Sequence, residues 1–301
     1  MIIQIILLFI IIYLLNKQRC VQPTSIQRLS KILKDKDVHM CYNYNINKYC
    51  NKNKTKFLSH KNNYLINNKK YLWITLKNYY GKDIAKTITP YTFIIPNDYN
   101  SYKKFNKKVI FKKNLHKQEG LFVTDKLQNK DYLVNNGYIV AQEFIQNSLK
   151  VNNYTIAIRM YLIIECKNKV FNEYIYDDGI VYYGKNDIAS YYFKESKEIY
   201  KNNPIILSHL EKKLNINIRP ILIKKINLLV NAIKDSFCKN NECYNKHNFY
   251  EIFGIDFIIT NNLDAYILEV NSGPGMVHYN EVDNQLKNNI IKYYSNIIKK
   301  N

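Results

Sequence analysis

The chain has 301 residues, with 45 Lys or Arg against 24 Asp or Glu, and its formal net charge is +21. This length is sufficient for a substantial core, and nothing in the composition demands several independent domains. The lysines form no concentrated block, and Lys, Asn, Ile and Tyr are abundant throughout, as in the AT-rich genomes of giant viruses or protists. The remaining charge favours an acidic protein partner. Nucleic acid is not expected, because no recognisable binding motif is present.

A hydrophobic segment occupies residues 2–15, with the sequence IIQIILLFIIIYLL and no charged side chain. It is shorter than the ~20 residues that span a membrane comfortably. No basic region precedes it and no A-x-A-like cleavage site follows, which favours an anchor over a cleaved signal. Because Lys17 and Arg19 follow it, the positive-inside rule places the body of the protein in the cytoplasm. We predict a membrane anchor within residues 1–17, with a hydrophobic core helix as the alternative.

The next part of the chain alternates helical patches, such as Tyr71–Tyr79, with connectors rich in Asn and Lys at 42–56 and 61–70. Such segments carry few apolar residues, so we predict loops or short disordered links there. A short β-like run then lies between Pro90 and Pro96.

A strand that ends in lysine follows at Lys108–Asn114, and a polar loop with one glycine follows it at His116–Leu121. Lys112 can supply a point charge to a phosphate, while the amides of the loop around Gly120 can close over it. This pattern indicates a phosphate cradle. The alternative for Lys112 is a solvated strand end.

Two further strands are predicted, at Gly137–Ile145 and Tyr154–Ile164. The second contains Arg159 among apolar residues, and a buried arginine must meet an anion. Three helices are predicted after these strands, at Pro204–Leu214, Ile221–Phe237 and Asn284–Lys300.

Residues 252–270 form two short apolar strands joined by a polar turn, which predicts an antiparallel hairpin. The turn length places Asp256 opposite Glu269, and strand alternation places Ile267, Glu269 and Asn271 on one face. Two carboxylates and an amide oxygen suit Mg²⁺, which shares its ligands with water and phosphate. The alternative is a surface hairpin whose acids face solvent.

The sequence from Tyr250 to Met276, YEIFGIDFIITNNLDAYILEVNSGPGM, resembles the metal-binding end of ATP-grasp ligases of the tubulin tyrosine ligase-like family. The FG-x-DF phrase and the LEVN phrase with its following proline carry the resemblance most specifically. The other motifs occur in the family's order, over roughly residues 60–295. The resemblance implies an α/β ATP-grasp fold with mixed sheets and helices, preceded by the hydrophobic segment, and ATP and Mg²⁺ as cofactors.

The resemblance also implies a division of the chain and a set of site residues. After residues 1–17, an N-terminal subdomain covers 18–95, a central ATP-grasp subdomain covers 96–146, and a C-terminal subdomain with the metal site covers 147–301. The implied metal ligands are Asp256, Glu269 and Asn271, and the implied catalytic residues are Lys112 and Arg159. The implied ATP-binding residues are Lys112, Gln118, Gly120 and the hinge residues Gln142, Glu143, Phe144 and Ile145.

This sequence departs from the family pattern at four positions. Thr155 and Ala157 stand where the family has lysine and aspartate before the strand arginine, and Tyr182 stands where a further arginine is usual. Lys113 stands where many members have proline. The departures put the amino-acid substrate in question.

The resemblance implies an ATP- and Mg²⁺-dependent carboxylate–amine ligase that adds a free amino acid to a protein with an acidic segment, such as tubulin, through an acyl phosphate. Tyrosine, glutamate and glycine remain open as the added amino acid. The alternative is a membrane-tethered pseudoenzyme or interaction protein of the same fold that binds nucleotide without ligating.

Six cysteines, at positions 20, 41, 50, 166, 238 and 243, include no CxxC pair and no zinc-like spacing with histidine. Their even number is compatible with disulfides. We expect free thiols, because a domain that consumes ATP requires a compartment that supplies it.

Overall fold

Two β-sheets with helices packed on them form a mixed α/β architecture. The computed structural model describes residues 33, 38–39, 56–115, 120–185, 188–192, 197–239, 247–277 and 280–300. The strands within these residues are β1 (Val38–His39), β2 (Lys56–Phe57), β3 (Thr92–Ile94), β4 (Val109–Lys113), β5 (Leu121–Thr124), β6 (Tyr138–Glu143), β7 (Lys150–Val151), β8 (Tyr154–Lys167), β9 (Val170–Ile175), β10 (Ile180–Lys185), β11 (Ile188–Tyr192), β12 (Asn248–Ile259) and β13 (Ala265–Ser272). The helices are α1 (Tyr64–Asn67), α2 (Lys69–Tyr80), α3 (Lys82–Ile88), α4 (Tyr99–Tyr102), α5 (Lys130–Asn135), α6 (Lys197–Asn202), α7 (Leu207–Leu214), α8 (Arg219–Phe237) and α9 (Glu281–Lys299).

The larger sheet is built around two long antiparallel strands, β8 and β12, which pair from Phe249 opposite Cys166 to Ile258 opposite Ala157. On the other side of β12 lie β13, its antiparallel hairpin partner, and β2, which pairs with β1. On the other side of β8 lie β9 and β10, and β10 pairs with β11. Strand β8 is rich in β-branched and aromatic residues and is buried on both faces.

The smaller sheet has the order β3-β6-β4-β5 and is antiparallel throughout. It has its own aromatic core, in which Phe93, Phe111 and Tyr102 pack with Leu133 of α5. Its strand β4 carries Lys112 toward the larger sheet.

The two faces of the larger sheet bury different helices. Because alternate residues of a strand point to opposite faces, Phe253 and Phe257 of β12 pack with α2 and α8, whereas Ile252 and Ile258 pack with α9. The three helices predicted after residue 200 are confirmed as α7, α8 and α9, with ends shifted by a few residues. The prediction of an α/β fold with mixed sheets and helices is confirmed at this level.

The prediction of a loop or disordered link at 61–70 is wrong. The segment forms a short 3-10 turn at Lys61–Asn63, then α1 and the start of α2. The Asn68 side chain caps α2 by accepting from the N–H groups of Lys70 at 3.0 Å and Tyr71 at 3.3 Å. Packing on the sheet and this cap supply the order that the composition did not indicate. The other predicted connector lies outside the described residues except for Lys56.

The prediction of a membrane-anchored protein with its body facing the cytoplasm is corrected. Among the helices of the described residues, none is long and apolar enough to cross a membrane. Residues 2–15, on which the prediction rested, lie outside the described residues. Their apolar run is also short of the ~20 residues that a spanning helix requires.

The expectation of free thiols is wrong for two of the six cysteines. Cys166 at the end of β8 and Cys238 at the end of α8 form a disulfide. The periodicity of the sequence could not reveal this pair, because 72 positions separate the two residues.

Candidate functional site

A row of three charged residues crosses the larger sheet. Asp256 of β12 pairs with Arg159 of β8 on one side and with Glu269 of β13 on the other. The Arg159 guanidinium donates from Nε to Asp256 Oδ1 and from Nη2 to Asp256 Oδ2, both at 2.6 Å. Both side chains are buried, at 9% and 5% exposure. The predicted juxtaposition of Asp256 and Glu269 is confirmed, the alternative of solvent-facing acids is excluded for Asp256, and Arg159 meets an anion as expected.

A β-bulge next to Asp256 sets the faces of β13. Asp256 pairs with Glu269 but Phe257 pairs with Ile267, so Leu268 is an extra residue in the strand. Ile267 therefore lies in the core on the opposite face from Glu269. The expectation that these two residues share a face is wrong, because alternation cannot reveal a bulge.

Asn271 completes the polar cluster. Its Nδ2 donates to Asp256 Oδ2 at 3.1 Å and to Glu269 Oε1 at 3.2 Å. Clusters of three or more His, Cys, Asp or Glu able to hold a metal are absent from the described part of the chain. Carboxylate and amide oxygens are the kinds of ligand that Mg²⁺ takes in proteins.

Lys112 approaches this cluster from the smaller sheet. The side chain is buried, and Nζ donates to Gln142 Oε1 at 2.8 Å and to the Leu268 carbonyl at 3.5 Å. Gln142 in turn donates from Nε2 to Thr92 Oγ1 at 3.0 Å. Burial excludes the alternative of a solvated strand end. Lys112 therefore contacts both Gln142 and Leu268, the bulge residue that precedes Glu269.

The carboxyl groups of the row differ in their electrostatic surroundings. Burial raises the pKa of Asp256 from 3.8 to about 6, although the attraction of Arg159 opposes this shift. Burial also acts to raise the pKa of Glu269, but Lys112 and the other cations around it outweigh burial and lower it. Burial lowers the pKa of Lys112 from 10.5 to about 8. The site therefore holds an ionised Glu269 within the field of several cations.

Sequence reasoning missed Lys69, the first residue of α2. The Lys69 ammonium contributes to lowering the pKa values of both Glu269 and Lys112, and its Nζ donates to the Leu115 carbonyl at 2.9 Å. The residue lies in the segment predicted as a connector. The signal that could have found it is Asn68, a good N-cap residue that marks the start of a helix.

The predicted hinge residues comprise the last two residues of β6, Gln142 and Glu143, and the next two, Phe144 and Ile145. The N–H of Glu143 donates to the Tyr91 carbonyl at 2.8 Å, and the N–H of Phe144 donates to the Lys108 carbonyl at 2.9 Å. Glu143 also pairs with Lys107, and Ile145 packs beside the core that contains α9. These two backbone donors are therefore already used within the protein.

The predicted phosphate loop is described only in part. Gln118 lies outside the described residues. Gly120 adopts φ +69°, and a Cβ there would stand 2.8 Å from the Lys113 Cβ. A glycine is thus required where the loop returns to the strand.

Three of the four positions that depart from the family pattern are buried: Thr155, Ala157 and Tyr182. Thr155 is fully buried, with its Oγ1 3.2 Å from Ser148 Oγ. Ala157 pairs with Tyr182, whose ring lies under the Arg159 guanidinium with 5.2 Å between the Cζ and the ring centroid. The strands beside Arg159 thus carry the hydroxyl of Thr155, the methyl group of Ala157 and the aromatic ring of Tyr182, which lies within cation–π distance of the guanidinium.

Fold and site together define a mixed α/β protein in which an oxygen-rich hairpin faces a buried lysine of a second sheet. The sequence model of the tubulin-tyrosine ligase family matches residues 47–198 and 185–299. The chain belongs to this family, and the resemblance stated from the sequence is confirmed.

The similar curated proteins carry related names. Mouse (Mus musculus) probable tubulin polyglutamylase TTLL2 is 24% identical over 254 residues, which cover 72% of this chain and 45% of that protein. Tubulin polyglutamylase ttll-4 of Caenorhabditis briggsae is 24% identical over 270 residues, covering 77% and 44%. The chain thus spans less than half the length of these relatives.

Proposed function

We propose that the chain is an ATP- and Mg²⁺-dependent carboxylate–amine ligase of ATP-grasp fold that modifies a protein. The observation that carries the proposal is the row of Arg159, Asp256 and Glu269, which faces the buried Lys112 of the second sheet. Membership in the tubulin-tyrosine ligase family supports it. The same proposal includes the division of the chain into subdomains, with boundaries after residues 17, 95 and 146.

In this proposal Asp256, Glu269 and Asn271 hold Mg²⁺, because their oxygens form a hard donor set. Bound Mg²⁺ neutralises charge on the phosphoryl group during transfer. Lys112 binds a phosphate as a fixed point charge, and Arg159 supplies a second cation beside the carboxylates. The hinge at Gln142–Ile145, with Gly120 and Gln118, binds the rest of the nucleotide.

The acceptor carboxylate on the protein substrate takes the γ-phosphoryl group of ATP and becomes an acyl phosphate, and ADP is released. The amine of the free amino acid then attacks the acyl carbon, an amide forms, and phosphate leaves. The fixed cations stabilise negative charge on the acyl oxygen as it develops. This sequence needs no nucleophile from the chain.

The substrate proposal follows from charge and from the relatives. The net charge of +21 favours an acidic acceptor, and the similar proteins are named as tubulin polyglutamylases. We therefore propose an acidic segment of tubulin or a similar protein as the acceptor, and glutamate as the first amino acid to test. Nucleotide binding without ligation is the less favoured function, motivated by Thr155, Ala157 and Tyr182.

Calorimetric titration with Mg·ATP tests the proposal. We expect the wild type to bind and Glu269→Gln to bind more than about tenfold more weakly, since even outer-shell partners of metal sites account for ~10–100-fold in affinity. The matched control is Glu173→Gln, the same change at an exposed position of β9, which should bind as the wild type does. Absence of binding by the wild type would overturn the proposal.

A second assay separates the ligase from the nucleotide-binding alternative. ADP release is measured with an acidic acceptor peptide and with glutamate, tyrosine or glycine. Release that depends on both the peptide and one amino acid supports the ligase. Binding of Mg·ATP without any such release supports the alternative.

A further inference from the structure

A buried carboxylate lies on the face of β12 opposite to Asp256. Glu251 is 2% exposed and accepts from the His60 N–H at 2.7 Å and from Asn63 Nδ2 at 2.9 Å. The Ser272 hydroxyl also hydrogen-bonds to it. Asn67 Nδ2 donates to that hydroxyl at 2.8 Å, so the network runs from Asn67 through Ser272 to Glu251.

Stability alone is a weak explanation for this network. Glu251 belongs to a strand whose neighbouring residues Phe249 and Phe253 form the apolar core. Burying a charged group costs more than burying an apolar residue of similar size, even where hydrogen bonds satisfy it. A polar network of this kind fixes the relative positions of its members.

The positions that the network fixes lie next to the candidate site. Ser272 directly follows Asn271, one of the proposed Mg²⁺ ligands. Asn67 stands two residues before Lys69, whose charge acts on Glu269. The hydrogen bond between Asn67 and Ser272 therefore joins the end of α1, just before α2, to the end of β13.

We propose that Glu251 is a positioning residue, which acts through Ser272 to hold Asn271 and Lys69 in register with each other. The inference rests on the proposed function, because it assigns Asn271 and Lys69 to the Mg·ATP site. Glu251 itself does not touch the nucleotide. Its role resembles that of outer-shell partners, which orient the ligands of a metal.

The test is Mg·ATP titration of the full chain and four variants. Glu251→Gln removes the charge, and Ser272→Ala removes the hydroxyl between Glu251 and Asn67. Ser272→Thr keeps that hydroxyl on a β-favouring residue. Tyr183→Phe is the control, because it removes another hydrogen bond of a side chain in the same core, from the Tyr183 hydroxyl to the Pro204 carbonyl at 2.6 Å.

We expect Glu251→Gln and Ser272→Ala to weaken Mg·ATP binding about ten- to hundredfold. Ser272→Thr should restore the affinity. Tyr183→Phe should lower the midpoint of urea unfolding and leave the affinity for Mg·ATP unchanged. If the role of Glu251 were purely structural, Glu251→Gln would give this same result. Ser272 is only partly buried, so Ser272→Ala carries the test if Glu251→Gln does not fold.

A double-mutant cycle identifies the route of the effect. If Glu251 acts through Lys69, Glu251→Gln combined with Lys69→Met weakens binding by less than the product of the single effects. Wild-type affinity in both Glu251→Gln and Ser272→Ala would overturn the inference and leave the proposed function intact. Absence of Mg·ATP binding by the wild type would overturn both.

Discussion

The Arg159 guanidinium holds both oxygens of Asp256 at 2.6 Å in a part of the sheet that is closed to solvent. Each partner of such a pair depends on the other, because removing one leaves an uncompensated buried charge. The pair between Lys86 and Asp83 has a similar distance, 2.7 Å, but its side chains are 49% and 87% exposed. These two ion pairs therefore differ in energy although their distances are similar.

We predict that Arg159→Met lowers the free energy of unfolding by about 3–5 kcal/mol, the usual range for breaking a buried pair. Lys86→Met, which breaks the exposed pair, should change it by less than about 1 kcal/mol. Urea denaturation followed by circular dichroism measures both. Equal effects of the two variants would contradict the prediction.

Glu251 gives the stability of the protein a defined dependence on pH. Burial raises the pKa of its carboxyl from 4.5 to about 7, against hydrogen bonds from Asn63, His60 and Ser272. The folded state binds this proton more tightly than the unfolded chain, so the stabilisation is complete below pH 4.5 and is lost as the pH rises to about 7. Glu251→Gln lacks this dependence.

We therefore expect the wild type to lose on the order of 3 kcal/mol of unfolding free energy relative to Glu251→Gln between acidic and mildly alkaline pH. Urea denaturation at about pH 5 and about pH 8 measures the difference. Burial and the charge of Lys61 lower the pKa of His60 to about 3. Because His60 is present in both proteins, its contribution to the pH dependence cancels in the difference. A difference that does not change with pH would show that Glu251 has the same pKa in the folded and unfolded states.

At the residue scale, alternation along the chain was sufficient to place Asp256 opposite Glu269. It failed for Ile267, because a bulge changes the phase of a strand without any mark in the residue pattern. It also gave no sign of Glu251, since an acid within a strand is more often exposed. The contacts that bury Glu251 come from His60 and Asn63, about 190 positions away in sequence.

At the scale of elements, the strands and the later helices were predictable because their apolar residues recur with the period of the element. In α8 the buried residues Ile226, Leu229, Val230 and Ile233 follow the helical period, whereas Ile221 and Ile223 at its start are only partly buried. The helices α1 and α2 begin in a segment rich in Asn and Lys, where composition indicated a loop. Their order depends on a cap and on contacts to β12 and β13 that no local pattern contains.

The N-cap of α2 offers a test of this dependence. Asn68→Ala should lower the free energy of unfolding by about 1 kcal/mol, and so should Asn129→Ala, which removes the equivalent cap of α5. Only Asn68→Ala should also weaken Mg·ATP binding, because Lys69 follows it directly. Urea denaturation and calorimetry on the two variants measure the two effects. Equal affinities of the two variants for Mg·ATP would show that Lys69 does not contribute to the site.

At the scale of the whole molecule, one buried ammonium lies between the two sheets. Lys112 belongs to the smaller sheet, yet Leu268 of the larger sheet accepts from its Nζ at 3.5 Å. The resemblance to the tubulin tyrosine ligase-like family implied that these parts would meet. It could not supply the distance, which depends on how the two sheets pack.

We predict that Lys112→Met abolishes Mg·ATP binding and lowers the free energy of unfolding by less than Arg159→Met does, because Lys69, Arg159 and Asn271 still compensate the buried Glu269 carboxylate. Lys113→Met changes the next residue, whose ammonium lies 5.0 Å from the centre of the Tyr138 ring, and should bind Mg·ATP as the wild type does. Calorimetry and urea denaturation measure the two properties. A large loss of stability in Lys112→Met would indicate a structural role instead.

The disulfide between Cys166 and Cys238 makes part of the chain a covalent ring. The ring contains β9, β10, β11, α6, α7 and the whole of α8. A protease that cuts the backbone once within it opens the ring but releases no fragment. Such a nicked chain migrates as one band in denaturing electrophoresis and separates into two bands only after a thiol reductant is added.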